Sequence, residues 1–140
     1  MAEAKVVEQI AAPVARVFEE LGNFRGIKPG GGIERVDYEG EGVGMTRSIH
    51  LANGTIVERL ESYDAEARTW TYAIVNDDGP LPFANYAATV TLTDNGDGTT
   101  TVDWTGRFEP RGLEESKAVA LASSIYVNAI GGARAALGAA

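Results

Sequence analysis

The sequence has no cysteine and a single histidine. The first absence excludes disulfides, thiolate metal sites and a cysteine nucleophile. The second excludes a multi-histidine metal site and leaves His50 as the only base for a Ser-His-Asp arrangement. Basic residues are also scarce: 12 Lys and Arg stand against 20 Asp and Glu, a formal charge of −8. Nucleic-acid binders usually show the opposite balance, because they must neutralise phosphates. No Lys/Arg cluster offsets it, so no nucleic-acid partner is expected and the acidity is read as solubility. No apolar run approaches the ~20 residues of a membrane span. The N-terminal MAEAKVVEQI has no basic region leading into an apolar run, so no signal peptide is expected either. A cytoplasmic location is the expectation that follows.

What is present is 140 residues, 44% hydrophobic and 23% charged, the make-up of a single globular domain over 1–140. A chain of this length buries roughly 70% of the surface its unfolded form exposes, enough for one core and a cavity. Residues 4–10 alternate as a strand. Pro13 then opens a helix with Val14, Val17, Phe18 and Leu21 on one stripe, closed by Gly22-Asn23. FRGIKPGGG, residues 24–32, is a glycine-rich loop with room for one short helical turn. Six further strands are predicted at 33–39, 44–51, 55–63, 68–76, 84–93 and 99–109, each set off by turn residues. Residues 113–137 read as one long helix. Its inward stripe, Val119, Ala122, Ser123, Tyr126, Ile130, Ala133 and Leu137, is rich in small residues. Gly131-Gly132 costs about 1 kcal/mol per residue relative to Ala and predicts a kink or an early end. The order of elements predicts an α+β fold. A curved antiparallel seven-stranded sheet wraps around the long C-terminal helix, with one or two short helices after the first strand.

The stretch GMTRSIHLANGTIVERLES, residues 44–62, places charges on the oily side of that sheet. Asn53-Gly54 is a two-residue hairpin signal. With those two as the turn, Ala52 pairs with Thr55, Ile49 faces Glu58 and Arg47 faces Leu60. Met45, Arg47, Ile49, Leu51, Ile56, Glu58, Leu60 and Ser62 then share the inner face; His50, Ser48 and Arg59 share the outer one. A slip of one residue would reverse the faces, and the apolar count argues against it. Arg47 and Glu58 are thus diagonal neighbours on the inner face, within reach of each other. The same alternation turns Trp70, Tyr72, Tyr86 and Trp104 inward, and Tyr126 projects from the helix into the same space. An apolar concavity with a few convergent polar groups is what a small-molecule site looks like. Gly79-Pro80-Leu81-Pro82-Phe83 lies at the same sheet end as the hairpin turn.

IAAPVARVFEELGNF, GVGMTRSIHLANGTIVERLESYD, RTWTYAI, LPFANYAATVTL and TTVDWTGRFEP, followed by a long helix, together resemble the polyketide cyclase/dehydrase branch of the START-like, helix-grip superfamily. The segment IKPGGG departs from that pattern. The resemblance implies a helix-grip fold with a cavity between sheet and C-terminal helix. It implies a small hydrophobic or aromatic carbonyl-containing ligand, with no cofactor, and leaves a homodimer open. It also implies site residues. Arg47 and Glu58 fall where related enzymes of this fold carry a catalytic arginine and acid. Trp70, Tyr72, Tyr86, Trp104 and Tyr126 would form the wall that binds substrate. Arg47 would hold a substrate oxygen and Glu58 would move a proton, as in cyclisation, dehydration or a lyase reaction. A non-catalytic carrier or sensor, with the ion pair serving only to fix the hairpin, is the alternative.

Overall fold

A computed structural model describes residues 1–140. The elements in chain order are β1 (Ala2–Ile10), α1 (Val14–Leu21), β2 (Ile33–Glu39), β3 (Thr46–Leu51), β4 (Gly54–Asp64), β5 (Thr69–Ile74), β6 (Phe83–Asp94), β7 (Thr100–Pro110) and α2 (Glu115–Leu137). The seven strands make one antiparallel sheet in the order β1-β7-β6-β5-β4-β3-β2. From β2 to β7 each strand pairs with its neighbour in sequence, as short links require. β1 is the exception: it pairs with β7 along its whole length, from Ala2 opposite Phe108 to Ile10 opposite Thr100. This is the expected helix-grip α+β fold, with one helix rather than two after the first strand.

Pro13 caps α1, and its carbonyl accepts from the N–H groups of Arg16 and Val17 at 3.0 and 3.1 Å. Its own missing N–H costs nothing there. Val17 is fully buried, and Val14, Phe18 and Leu21 pack beside it against the core. The helix ends where the Gly22 N–H reaches the Phe18 carbonyl at 2.8 Å.

The small residues of α2 permit close approach to the sheet. Ala118 and Ala122 are fully buried, as is Ala4 on β1, the strand against which α2 lies. Tyr126 and Ile130 complete the buried stripe. The far end of α2 is tied to β1, where Arg134 Nη2 donates to Glu8 Oε1 at 2.7 Å. The last residue of the chain joins the same region, with the Ala11 N–H donating to the Ala140 carbonyl at 3.0 Å.

Gly131-Gly132 neither ends nor divides α2, contrary to the expectation from propensity. The helix runs on to Leu137 and is capped at Gly138, whose φ of 63° is the left-handed angle that a glycine cap supplies. Packing of Ile130 and Ala133 on either side outweighs the glycine penalty. A Cβ at Gly132, an exposed position, would meet nothing within 4 Å. Gly132→Ala is therefore expected to stabilise the protein by about 1 kcal/mol, read as a higher urea midpoint with an unchanged slope.

Candidate functional site

The β3–β4 hairpin sets the site. Its turn is Ala52-Asn53, with Gly54 already paired to Leu51, so the register differs by two residues from the one the Asn-Gly signal suggests. Positive φ falls on Gly54 (147°) and on neither turn residue. A turn followed by glycine as its fourth residue needs no positive φ at its centre, and Gly54 also accommodates Pro80, which would lie 3.2 Å from an added Cβ. A two-residue shift preserves every inward and outward assignment while changing the partners. Arg47 consequently stands directly opposite Glu58 rather than diagonal to it, and Ile49 opposite Ile56.

Arg47 Nε donates to Glu58 Oε1 at 2.7 Å, and Glu58 is only 9% exposed. Arg47 Nη1 donates to the Phe24 carbonyl at 3.1 Å. The guanidinium lies 3.9 Å from the centre of the Phe24 ring and 5.7 Å from that of Tyr72, so aromatic faces flank the charge. Arg47 Nη2 and Glu58 Oε2 take no hydrogen bond within the chain, so one donor and one acceptor of the pair are left over.

Four of the five inward aromatics, Tyr72, Tyr86, Trp104 and Tyr126, meet one another beside this pair. The hydroxyls of Tyr72 and Tyr86 are 3.1 Å apart and those of Tyr86 and Tyr126 are 2.5 Å apart. Trp104 Nε1 donates to the Tyr72 hydroxyl at 3.2 Å, and the Trp104 ring stacks on Tyr126 at 5.1 Å. Trp70 stands apart from this chain and packs edge-on against Phe18 of α1 at 5.8 Å. Gly106 on β7 makes the arrangement fit: a Cβ there would lie 1.9 Å from the Tyr126 hydroxyl. Glycine inside a strand often marks such a close approach. Three hydroxyl protons serve two oxygen–oxygen contacts, so one proton of the chain remains unassigned.

Burial raises all three phenols, because a phenolate in this interior loses its solvation. Tyr72 and Tyr86 lie well above the usual 10.0, and Tyr126 is pushed up to about 12. The Glu58 carboxylate adds repulsion at Tyr72 and Tyr126. All three are neutral donors at ordinary pH.

An open groove of about 660 Å³ lies against Phe24, whose ring packs on the Arg47 guanidinium; neither Arg47 nor Glu58 is among its walls. Phe18, Phe24, Met45, Leu60 and Tyr63 supply its apolar walls, while Glu19 and Arg25 supply one charge of each sign. Phe24 stands between groove and ion pair, touching both. Phe18, Phe24 and Tyr63 are groove residues that alternation alone does not find. Tyr63 reaches the groove because the β4–β5 register shifts between Leu60 and Ser62, and Tyr63 then pairs with inward Trp70. At the opposite end, β5 and β6 part beyond Ala73–Ala87, leaving a cleft of about 520 Å³ lined in part by Ile74, Asn85, Tyr86 and Arg111. The Gly79–Phe83 loop closes over this end and is pinned there: Arg111 donates to the carbonyls of Asp77, Gly79 and Leu81. His50 lies on the outer face, 2.9 Å from Asp37 and 3.1 Å from Thr55; its hydrogen bond holds the Asp37 carboxyl below its usual range.

Two outcomes follow from these energetics. Arg47→Met strands Glu58 and is expected to cost about 3 kcal/mol, whereas Arg47→Met/Glu58→Leu, which removes both charges, recovers most of that loss; urea unfolding of the three proteins reads the difference. The tyrosines act in the alkaline range. Their folded-state values are raised, so their stabilisation is complete below about pH 10 and is lost as pH rises, for Tyr126 between 10.0 and about 12. Unfolding free energy measured against pH should fall through that window, and less steeply in Tyr126→Phe.

Residues 1–138 match the family model described as polyketide cyclase/dehydrase and lipid transport. Among solved structures, the protein XoxI from Bacillus cereus is 26% identical with a TM-score of 0.84, over 97% of this chain and 95% of its own. An uncharacterised protein from Bacillus thuringiensis is 25% identical with a TM-score of 0.80, over 96% and 98%. A protein from Thermobifida fusca is 25% identical with a TM-score of 0.71, over 92% and 85%. No curated protein matches the chain. No helix is long and apolar enough to cross a membrane. Fold, length and sequence agree, and the chain belongs to the polyketide cyclase/dehydrase and lipid transport family.

Proposed function

We propose that the protein binds a small hydrophobic or aromatic carbonyl compound at the Arg47–Glu58 pair and moves a proton on it without a cofactor. One observation carries this reading: a buried ion pair with a spare donor and a spare acceptor beside an apolar groove. In the reaction, the Arg47 guanidinium polarises the ligand carbonyl and stabilises the enolate oxygen that forms. The Glu58 carboxylate takes the adjacent proton. Returning that proton to a departing β-hydroxyl releases water and completes a dehydration. Attack of the enolate on a second carbonyl of the same molecule would instead close a ring.

The tyrosines do not serve as bases, since burial keeps them protonated. The one hydroxyl proton left over in the Tyr72–Tyr86–Tyr126 chain is the donor this cluster can offer a ligand, and Trp70 and Trp104 complete an aromatic wall. The second reading, a carrier or sensor, draws on the same contacts: a pair bonded to itself at 2.7 Å holds a ligand without transferring a proton.

Native mass spectrometry of freshly purified protein tests the assignment, with any bound molecule released by denaturation and identified. The expected result is an apolar carbonyl compound on the wild type that is lost from folded Arg47→Met/Glu58→Leu. A bound mass that persists unchanged in that variant would overturn the placement at the ion pair. Conversion of the identified compound by wild type but not by Glu58→Gln separates enzyme from carrier; retention without conversion selects the carrier.

A further inference from the structure

We infer that the site selects an uncharged head group presenting a hydrogen-bond acceptor beside a donor, such as a carboxamide or a hydroxy-carbonyl. It does so over a carboxylate on the same apolar skeleton. The inference rests on Arg47 and Glu58 being the ligand site. Nε and Nη2 of a guanidinium share one edge, the edge that takes a carboxylate with two parallel bonds. Here only half of that edge is used: Nε meets Oε1 at 2.7 Å, while Nη2 and Oε2 bond nothing in the chain. Every side-chain polar atom sealed from solvent has a partner. These two atoms, having none, therefore keep some contact with solvent. The ligand chemistry they ask for is an acceptor for Nη2 and a donor for Oε2.

Charge decides between the candidates that could supply it. The pair is neutral as a unit. The groove adds no net charge, since Glu19 and Arg25 offset each other and the remaining walls are uncharged. Arg25 is further engaged with the Gly40 carbonyl and the Tyr38 ring. A carboxylate entering here brings a negative charge against Glu58 with no cation left to answer it. Like charges brought together in a desolvated site repel strongly and suppress binding. An ammonium meets the mirror problem at Arg47. A neutral head group meets neither, and it uses both leftover atoms. Phe24, Met45 and Leu60 then cover the apolar body of the ligand.

The test is calorimetric titration of 2-naphthamide and 2-naphthoate, which share a skeleton and differ in head-group charge. The proteins are wild type, Glu58→Gln and Arg47→Met/Glu58→Leu, each shown by circular dichroism to be folded. Wild type is expected to bind the amide at least about tenfold more tightly. Glu58→Gln, which leaves Arg47 without its counter-charge, should shift the preference toward the naphthoate. The double variant should lose the discrimination. Naphthoate preferred by wild type, or an amide preference that Glu58→Gln does not move, overturns the head-group inference while variant-dependent affinity still supports the ion-pair site. Affinities equal across all three proteins, or no binding of either probe, overturn the ion-pair site itself and the inference with it.

Discussion

Two opposite charges on the apolar face of a sheet need partners within reach, because a buried ion left alone costs several kcal/mol. In this protein that requirement reaches well beyond the pair. Arg47 and Glu58 meet side by side because the hairpin turn falls at Ala52-Asn53, where Gly54 takes a positive φ and lies close under Pro80. The guanidinium then draws in the chain that follows α1. The Phe24 carbonyl accepts one of its protons and the Phe24 ring covers its face. That contact gives the glycine-rich 24–32 loop a fixed point over the sheet, and so creates the groove between α1 and β4. An interaction that looks local thus decides where a ligand can approach.

The aromatic cluster answers a related constraint. Phenol hydroxyls inside a core must bond to something, and here they bond largely to each other, with an indole N–H at one end. The chain of hydroxyls runs from β5 through β6 to α2. It ties the helix to the sheet by polar contacts in a place where small residues limit apolar ones. Gly106 is the counterpart on β7, since any side chain there would displace Tyr126. The sheet's inner surface is therefore shaped as much by where hydrogen bonds end as by where methyl groups touch.

Much of this was legible in the residues. Alternation located the strands and sorted Arg47, Glu58, Tyr72, Tyr86 and Trp104 to the inner face, because the period of a strand is two and burial enforces it. The hairpin register was misplaced by two residues, since a turn with glycine in fourth place and an Asn-Gly turn share the same letters. The faces survived that error because an even shift preserves parity. Tyr63 was beyond the reach of alternation, for a bulge changes parity partway along β4 and leaves no mark in the sequence. Phe24 was missed because its role depends on a contact with Arg47, 23 residues away. Gly131-Gly132 misled for the opposite reason: local propensity is a weak prior, and burial of the residues around it decided the matter.

The pairing of β1 with β7 has a consequence for the order in which the molecule is made. A ribosome delivers β1 first, yet the strand it joins, from Thr100 to Pro110, is the last to emerge. The other strands can pair as each leaves the exit tunnel, neighbour by neighbour. β1 alone must wait for its partner until five other strands have been made. Domains generally fold as units during synthesis, and an unpaired strand edge is a site of misassembly. The charges spaced along that strand, Glu3, Lys5 and Glu8, find their partners Arg107, Asp103 and Arg134 only once β7 and α2 are in place.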